Sequence, residues 1–197
     1  MKWGDMCAQA NLQHSYSNFH AMGVNYACVV MQPGAVLKIY ELPNTEGKLL
    51  VAPHSHLYPF AQTLLAGEMY HYEYDWWSRH PEGVTHVLCN YETPLNGGSG
   101  KFVQELTGHL ETECITRITV GGGYQLQPDR IHSIATVAPT WLVTFQQADV
   151  SAAQARTFFP VGDVPYQPDD KLYQPMTPTN LLAMADRMRS ALGERKR

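Results

Sequence analysis

The chain has 197 residues, enough for one domain with a short appendage, and with 44% hydrophobic and 16% charged residues it is too apolar to be disordered. Its formal net charge of -4, with no basic run outside the last residues, argues against nucleic acid as a main partner, because phosphate binding needs clustered Lys and Arg. The four cysteines, Cys7, Cys28, Cys89 and Cys114, lack CxxC spacing and are too sparse for a disulfide framework, which points to a reducing, cytoplasmic setting.

Residues 1–25 are mixed and polar and are expected to form a loosely structured arm or a short helix over one barrel edge. No signal peptide is expected, since Asp5 interrupts a segment with no long apolar run. The longest apolar stretches, such as Tyr26–Met31, are about six residues, far short of the roughly 20 that cross a membrane, so no membrane partner is expected. Residues 26–150 carry short apolar or alternating runs at Tyr26–Met31, Val36–Glu41, Lys48–Ala52, Gln62–Ala66, Met69–Asp75 and Val84–Cys89. They continue at Phe102–Leu106, Glu113–Val120, Tyr124–Leu126, Ser133–Val137 and Trp141–Gln146, most of them bounded by Gly, Pro or Asn, as at Pro33-Gly34 and Gly121–Gly123. Many short strands with regular turn signals predict an all-β barrel or sandwich. Residues 151–197 change character. Phe158–Met176 is rich in Pro, Asp and Tyr and is expected to be an extended wrap. Leu181, Met184, Ala185, Met188 and Leu192 then recur at helical spacing after Thr177-Pro178-Thr179-Asn180, and Gly193 can end that helix. The terminal Arg195, Lys196 and Arg197 fit a frayed tail.

Chemistry concentrates in two places. In Pro53-His54-Ser55-His56, residues i and i+2 of an extended segment face the same way, so His54 and His56 project together and supply half of a metal site. Downstream, Gln127-Pro128-Asp129-Arg130-Ile131-His132 reads as a tight turn and a strand that opens on a third histidine.

On these residues the chain resembles the cupin superfamily, which implies a single RmlC-like jelly-roll β-barrel with, here, a short C-terminal α-helix. Gly47, His54, His56 and Gly67 match the first cupin motif with one extra residue after Gly47, and Pro128 to His132 match a shortened second motif in which Arg130 stands at the turn glycine. The resemblance implies a divalent metal at His54, His56 and His132. Phe60 takes the place of the family's usual glutamate ligand. Three neutral histidines resemble the three-His branch related to cysteine dioxygenase, which implies Fe(II), with Zn, Mn or Ni as alternatives. Ala61 stands where that branch often has a cysteine. Lys38 and Lys48 are the nearest residues to its carboxylate-clamping arginine.

Other residues have sharp and plain readings. His71 and Tyr124 are candidate catalytic groups, and His71 is more simply a packed strand histidine. Lys38, Phe60, Tyr70, Tyr72 and Trp141 are candidate substrate contacts, although the row Tyr70, Tyr72, Tyr74 and Trp76 also suits a barrel wall or dimer face. Asp129 and Arg130 can brace the metal site or merely make the turn. Gly97–Lys101 is no phosphate loop, because Leu95 and Phe102 occupy its required positions. The leading expectation is a mononuclear non-haem iron dioxygenase acting with O2 on a small organic substrate, with a thiol as one option. A metal-dependent lyase, isomerase or hydrolase, or a non-enzymatic ligand- or metal-binding barrel, are the alternatives. The resemblance also implies a homodimer.

Overall fold

The computed structural model describes residues 2–32, 34–147, 155–165 and 170–194. Pro33, residues 148–154 and 166–169 at the expected barrel end and wrap, and the basic triplet Arg195–Arg197 lie outside the described residues. The elements in order are α1 (Trp3–Ala8), β1 (Asn11–Ser17), β2 (Asn25–Gln32), β3 (Ala35–Leu42), β4 (Phe60–Ala66), β5 (Glu68–Trp77) and β6 (His86–Tyr91). They continue with β7 (Phe102–Thr119), β8 (Gly123–Leu126), β9 (Ile131–Thr136), β10 (Thr140–Gln147), β11 (Arg156–Pro160), β12 (Gln174–Pro175) and α2 (Pro178–Leu192). The strands form two antiparallel sheets, ordered β12-β1-β2-β3-β10-β4-β8 and β11-β6-β7-β5-β9. The expected all-β class, two antiparallel sheets with a short C-terminal helix, is thus the fold of this chain, and it is consistent with a jelly roll.

Alternation decides what each strand buries. On β3, β4 and β10 one set of side chains (Leu42, Leu64, Leu142) meets Met69 and Ile118 of the second sheet in a core between the sheets. The opposite set faces outward, and there Ile39 and Trp141 pack under α2. Helix α2 is capped as its sequence predicts. The Thr177 side chain accepts from the Asn180 amide, Pro178 begins the first turn and Gly193 closes the helix in the left-handed region. Its Leu181, Met184, Ala185 and Met188 stripe is spent on this packing, at 3% exposure or less, so it is a core face. Burying each of the large side chains contributes roughly 1.5–3 kcal/mol.

Several segments differ from the sequence reading. Residues 1–25 supply both a helix, α1, which docks on α2, and a full strand, β1, which pairs with β2 and, through Tyr16 and Ser17, with the late strand β12. The runs 102–106 and 113–120 are one long strand, β7. Gly108 at its middle is a place of close approach, where a Cβ would lie 2.5 Å from the Trp77 carbonyl oxygen and 2.6 Å from the Trp76 ring. Lys48–Ala52 is not a strand. It touches β9 through the Leu49–Ala135 bridge, through the Leu50 amide, which donates to Ile134, and through Val51, whose carbonyl accepts from the Ser133 hydroxyl at 2.6 Å, and among the described residues it pairs with no strand on its other side.

Candidate metal centre

Residues 53–56 are extended without being a regular strand, and they lie between the two edges of the second sheet. The amide of His54 donates to the His132 carbonyl and that of His132 donates back to His54, each at 2.9 Å. On the other side, Ser55 donates to the Arg156 carbonyl and Phe158 donates to Pro53, which ties the segment to β11. A residue pair exchanging both hydrogen bonds presents its side chains side by side on one face. His54 and His132 are therefore set next to each other by backbone pairing, and His56 joins them by alternation. The turn before β9 is drawn in by the Asp129 amide, which donates to the His56 carbonyl. The left-handed residue of that turn is Asp129, at φ 66°, and not Arg130, which stands at the turn-glycine position of the resembled motif.

The ligand atoms of His54, His56 and His132 all lie within 4.8 Å of one another, and the Nε2 atoms of His56 and His132 are 2.9 Å apart. Two nitrogens bonded to one metal at roughly 2.1 Å in cis positions stand about 3 Å apart, so the spacing fits an ion. His54 Nδ1 donates to the Ala52 carbonyl at 2.9 Å, which leaves Nε2 as the atom that could ligate an ion. Burial holds the His54, His56 and His132 imidazoles below the ordinary histidine value, and neighbouring imidazoles push His56 and His132 further down. All three are neutral at neutral pH, the form that binds metal.

His71 does not line the cavity. It is 2% exposed and stands behind the centre, with its Nε2 3.2 Å from His132 Nδ1. For His132 to ligate through Nε2, its Nδ1–H must donate to His71 Nε2, so His71 fixes tautomer and ring orientation. Burial pushes His71 down to about 4, which keeps it a neutral acceptor. Its Nδ1 lies 3.8 Å from Glu73, whose carboxylate accepts from Arg130 at 3.1 Å. Arg130 also bonds Glu113. A chain of side chains thus runs from His132 to the surface, and Arg130 enters the site through it.

The other candidates divide by strand face. Phe60 lines the cavity with its ring 4.9 Å from that of His56, and Tyr124 lines it while stacking on His71 at 3.7 Å. Lys38 lines the outer chamber, where its Nζ donates to Gln146 Oε1 at 2.9 Å. Trp141 is corrected: its neighbour Leu142 faces the cavity, so Trp141 faces α2. Tyr72 is also corrected, because Met69 and His71 take the cavity-side face of β5, leaving Tyr72, Tyr74 and Trp76 to pack around Phe158 and Leu88 in a separate core. Tyr70 lines neither chamber, and Lys48 is exposed. Ala61 alternates with Phe60 and Gln62 and lies on the outer face of β4, so no cysteine at that position would reach the histidines.

The cavity has an inner part of about 80 Å³ and an outer part of about 660 Å³, and the three histidines border the inner one. No Asp or Glu lines either part among the described residues. Residues without a motif complete it. His20 approaches from the first 25 residues, its ring 6.1 Å from that of His54, and its Nδ1 is 2.7 Å from the hydroxyl of Tyr173 in the C-terminal wrap. Burial, with smaller contributions from His54 and Lys38, depresses His20 to about 3. Gln62 and Thr144 line the inner part from β4 and β10. Their signal was in the sequence, as polar residues on the cavity-side alternation of Phe60-x-Gln62-x-Leu64 and Leu142-x-Thr144-x-Gln146, whereas His20 carries no local signal at all. The ligand atoms of a second group, His80, His109 and Glu111, also lie within 4.8 Å of one another. There the His80 and His109 rings stack at 4.2 Å, and His80 Nδ1 is engaged by the Glu82 amide.

No family model and no curated protein matches the chain. Its neighbours among solved structures include cupin superfamily proteins. One is a cupin superfamily protein from Desulfitobacterium hafniense, at 10% identity over 64% of this chain and 78% of that one, with a TM-score of 0.37. KdgF from Halomonas sp. aligns at 11% identity over 70% of this chain and 90% of that one, with a TM-score of 0.41. Hydroxypropylphosphonic acid epoxidase from S. wedmorenis aligns at 10% identity over 70% of this chain and 57% of that one, with a TM-score of 0.39. Within this chain, two facing antiparallel sheets and a histidine cluster at their open end define the fold and the site.

Proposed function

We propose that the protein is a mononuclear, three-histidine metal enzyme, a non-haem iron dioxygenase acting on a small organic anion. The observation that carries this reading is a centre of three converging neutral imidazoles in a cavity without a lining carboxylate among the described residues. His54, His56 and His132 would hold one divalent ion, with Fe(II) the expected one. Bound there, Fe(II) supplies Lewis acidity, uncompensated positive charge and electrons for oxygen chemistry. The chain's own residues supply the rest. His71 keeps the Nε2 lone pair of His132 directed at the centre. Phe19, Phe60 and Leu142 exclude water from the inner cavity. Lys38 offers a positive charge to the substrate's anionic group. The Tyr124 hydroxyl, held in its protonated form because burial raises it, can donate a hydrogen bond to a ligand in the inner part.

The test is the metal content of freshly purified protein beside its His54→Ala and His132→Ala variants, followed by oxygen uptake with small anionic thiols and aromatic acids. Near-stoichiometric iron that is lost in both variants, with substrate-dependent oxygen consumption, is expected. Another metal at the same site, with turnover under anaerobic conditions, would replace the dioxygenase reading by a lyase, isomerase or hydrolase. No metal, even after anaerobic addition of Fe(II), would remove the enzymatic reading.

A further inference from the structure

The register of the first sheet places Tyr124 opposite Gln62, Gln62 opposite Thr144, and Thr144 opposite Lys38, on the adjacent strands β8, β4, β10 and β3. Residues paired across neighbouring strands share a face, and all four line the histidine cavity. They form one continuous polar rung across it. The rungs on either side are largely apolar: Leu64, Leu142 and Tyr40 on one, Leu126, Phe60 and Val36 on the other, broken only by Gln146, which holds Lys38.

Three atoms of this rung, Gln62 Oε1, Thr144 Oγ1 and Tyr124 Oη, are shielded from solvent and have no hydrogen-bond partner among the described residues. Buried polar atoms are nearly always paired, so three unpaired ones on a single rung beside the histidines call for a ligand. Gln62 Oε1 accepts, while the two hydroxyls can donate or accept, so the complement is an uncharged group with its own donor, such as a hydroxyl or amide. At the far end stands the Lys38 ammonium. The rung crosses three strand intervals, roughly 14 Å at about 4.8 Å each, and the side chains lean inward from both ends.

We propose that this rung is the substrate-recognition strip. It would bind an elongated small organic anion with its acidic group at Lys38, an apolar middle against the flanking rungs, and a hydroxyl or amide at Gln62, Thr144 and Tyr124. This rests on the proposed function only for treating the cavity as a substrate site, and the strip itself needs no metal. The probes are 3-(4-hydroxyphenyl)propanoate and its parent 3-phenylpropanoate, titrated calorimetrically into full-length protein, metal-free and Zn(II)-loaded. Wild-type protein should bind the hydroxylated probe roughly tenfold more tightly than the parent. Thr144→Val and Tyr124→Phe should erase most of that preference and leave parent affinity within about twofold, whereas Lys38→Met should weaken both probes alike. Equal affinities in wild type, a preference that survives both variants, or no binding of either probe at millimolar concentration would overturn the proposal. The preference in metal-free protein that fails to take up metal would sustain the strip and sink the metal reading. Metal uptake without the preference would do the reverse.

Discussion

Thr144→Val should raise stability, although a hydrogen-bonding group is removed. Thr144 is 5% exposed on β10, and its hydroxyl has no partner among the described residues. Valine has nearly the same shape, keeps the β-branch that suits a strand and removes only the unpaired polar atom. An unsatisfied buried hydroxyl costs about 1–3 kcal/mol, so a gain of about 1–2 kcal/mol is expected, or about 2–8 °C in Tm for a chain of this length. Thr140 on the same strand is the matched control. It is fully buried, and its hydroxyl donates to the Ala138 carbonyl at 2.9 Å, with the Glu68 carbonyl at 3.3 Å. Thr140→Val should therefore lower stability by about 1–2 kcal/mol. Calorimetric and urea unfolding of ligand-free protein would measure both. A neutral or destabilising Thr144→Val would mean that its hydroxyl is satisfied, by ordered water for example, and the argument for a ligand-directed rung would lose its premise.

Three further outcomes follow from the geometry. His71→Phe should weaken metal binding roughly 10–100-fold, read by chelator competition, while His132→Ala should abolish it; unchanged affinity in His71→Phe would exclude the tautomer-fixing role. Metal-free protein should lose stability on acidification. Burial depresses the site histidines, His71 to about 4 and His20 to about 3, against an unfolded value near 6.5. Between those limits the unfolded chain binds more protons, so stability falls as pH drops below about 6.5, and the loss flattens only near pH 3–4. A Tm constant from pH 7 to 5 would contradict this. Gly67→Ala should cost about 2–4 kcal/mol, measured by urea unfolding, because Gly67 has φ 92° and a Cβ there would lie 2.5 Å from Thr140 Oγ1 and 2.7 Å from the Pro139 carbonyl oxygen.

What the sequence disclosed was local. Alternation and turn residues locate most strands, and the capping residues of α2 and the closing glycine of the first histidine motif occupy the geometry their chemistry requires. The histidine cluster was legible because two of its members lie two residues apart and the third follows a turn. The cavity wall was misassigned where a strand is apolar on both faces. Trp141 and Leu142 are equally hydrophobic, and only the docking of α2 decides which faces outward. Tyr72 failed for the same reason, since β5 has one core on each side. Contacts between distant parts of the chain were illegible: His20 meets Tyr173 across 153 positions, and neither lies in a motif.

The placement of charge separates the ligand from the scaffold. The carboxylate connected to the centre is Glu73, which lies behind His71 and His132, not in the cavity, and Arg130 already engages it. Inside, the lining adds Lys38 and four neutral imidazoles, those of His20, His54, His56 and His132, with no Asp or Glu among the described residues. A divalent ion would bring two further positive charges into a space whose walls are largely apolar, where such charge is poorly screened. On the proposed reading, the ion and Lys38 together would favour an anionic substrate over its neutral analogue, and replacing the carboxylate of the phenylpropanoate probe by a carboxamide should weaken binding more in Zn(II)-loaded protein than in metal-free protein. Equal losses in the two forms would separate Lys38 from the centre and leave the ion without a part in substrate recognition.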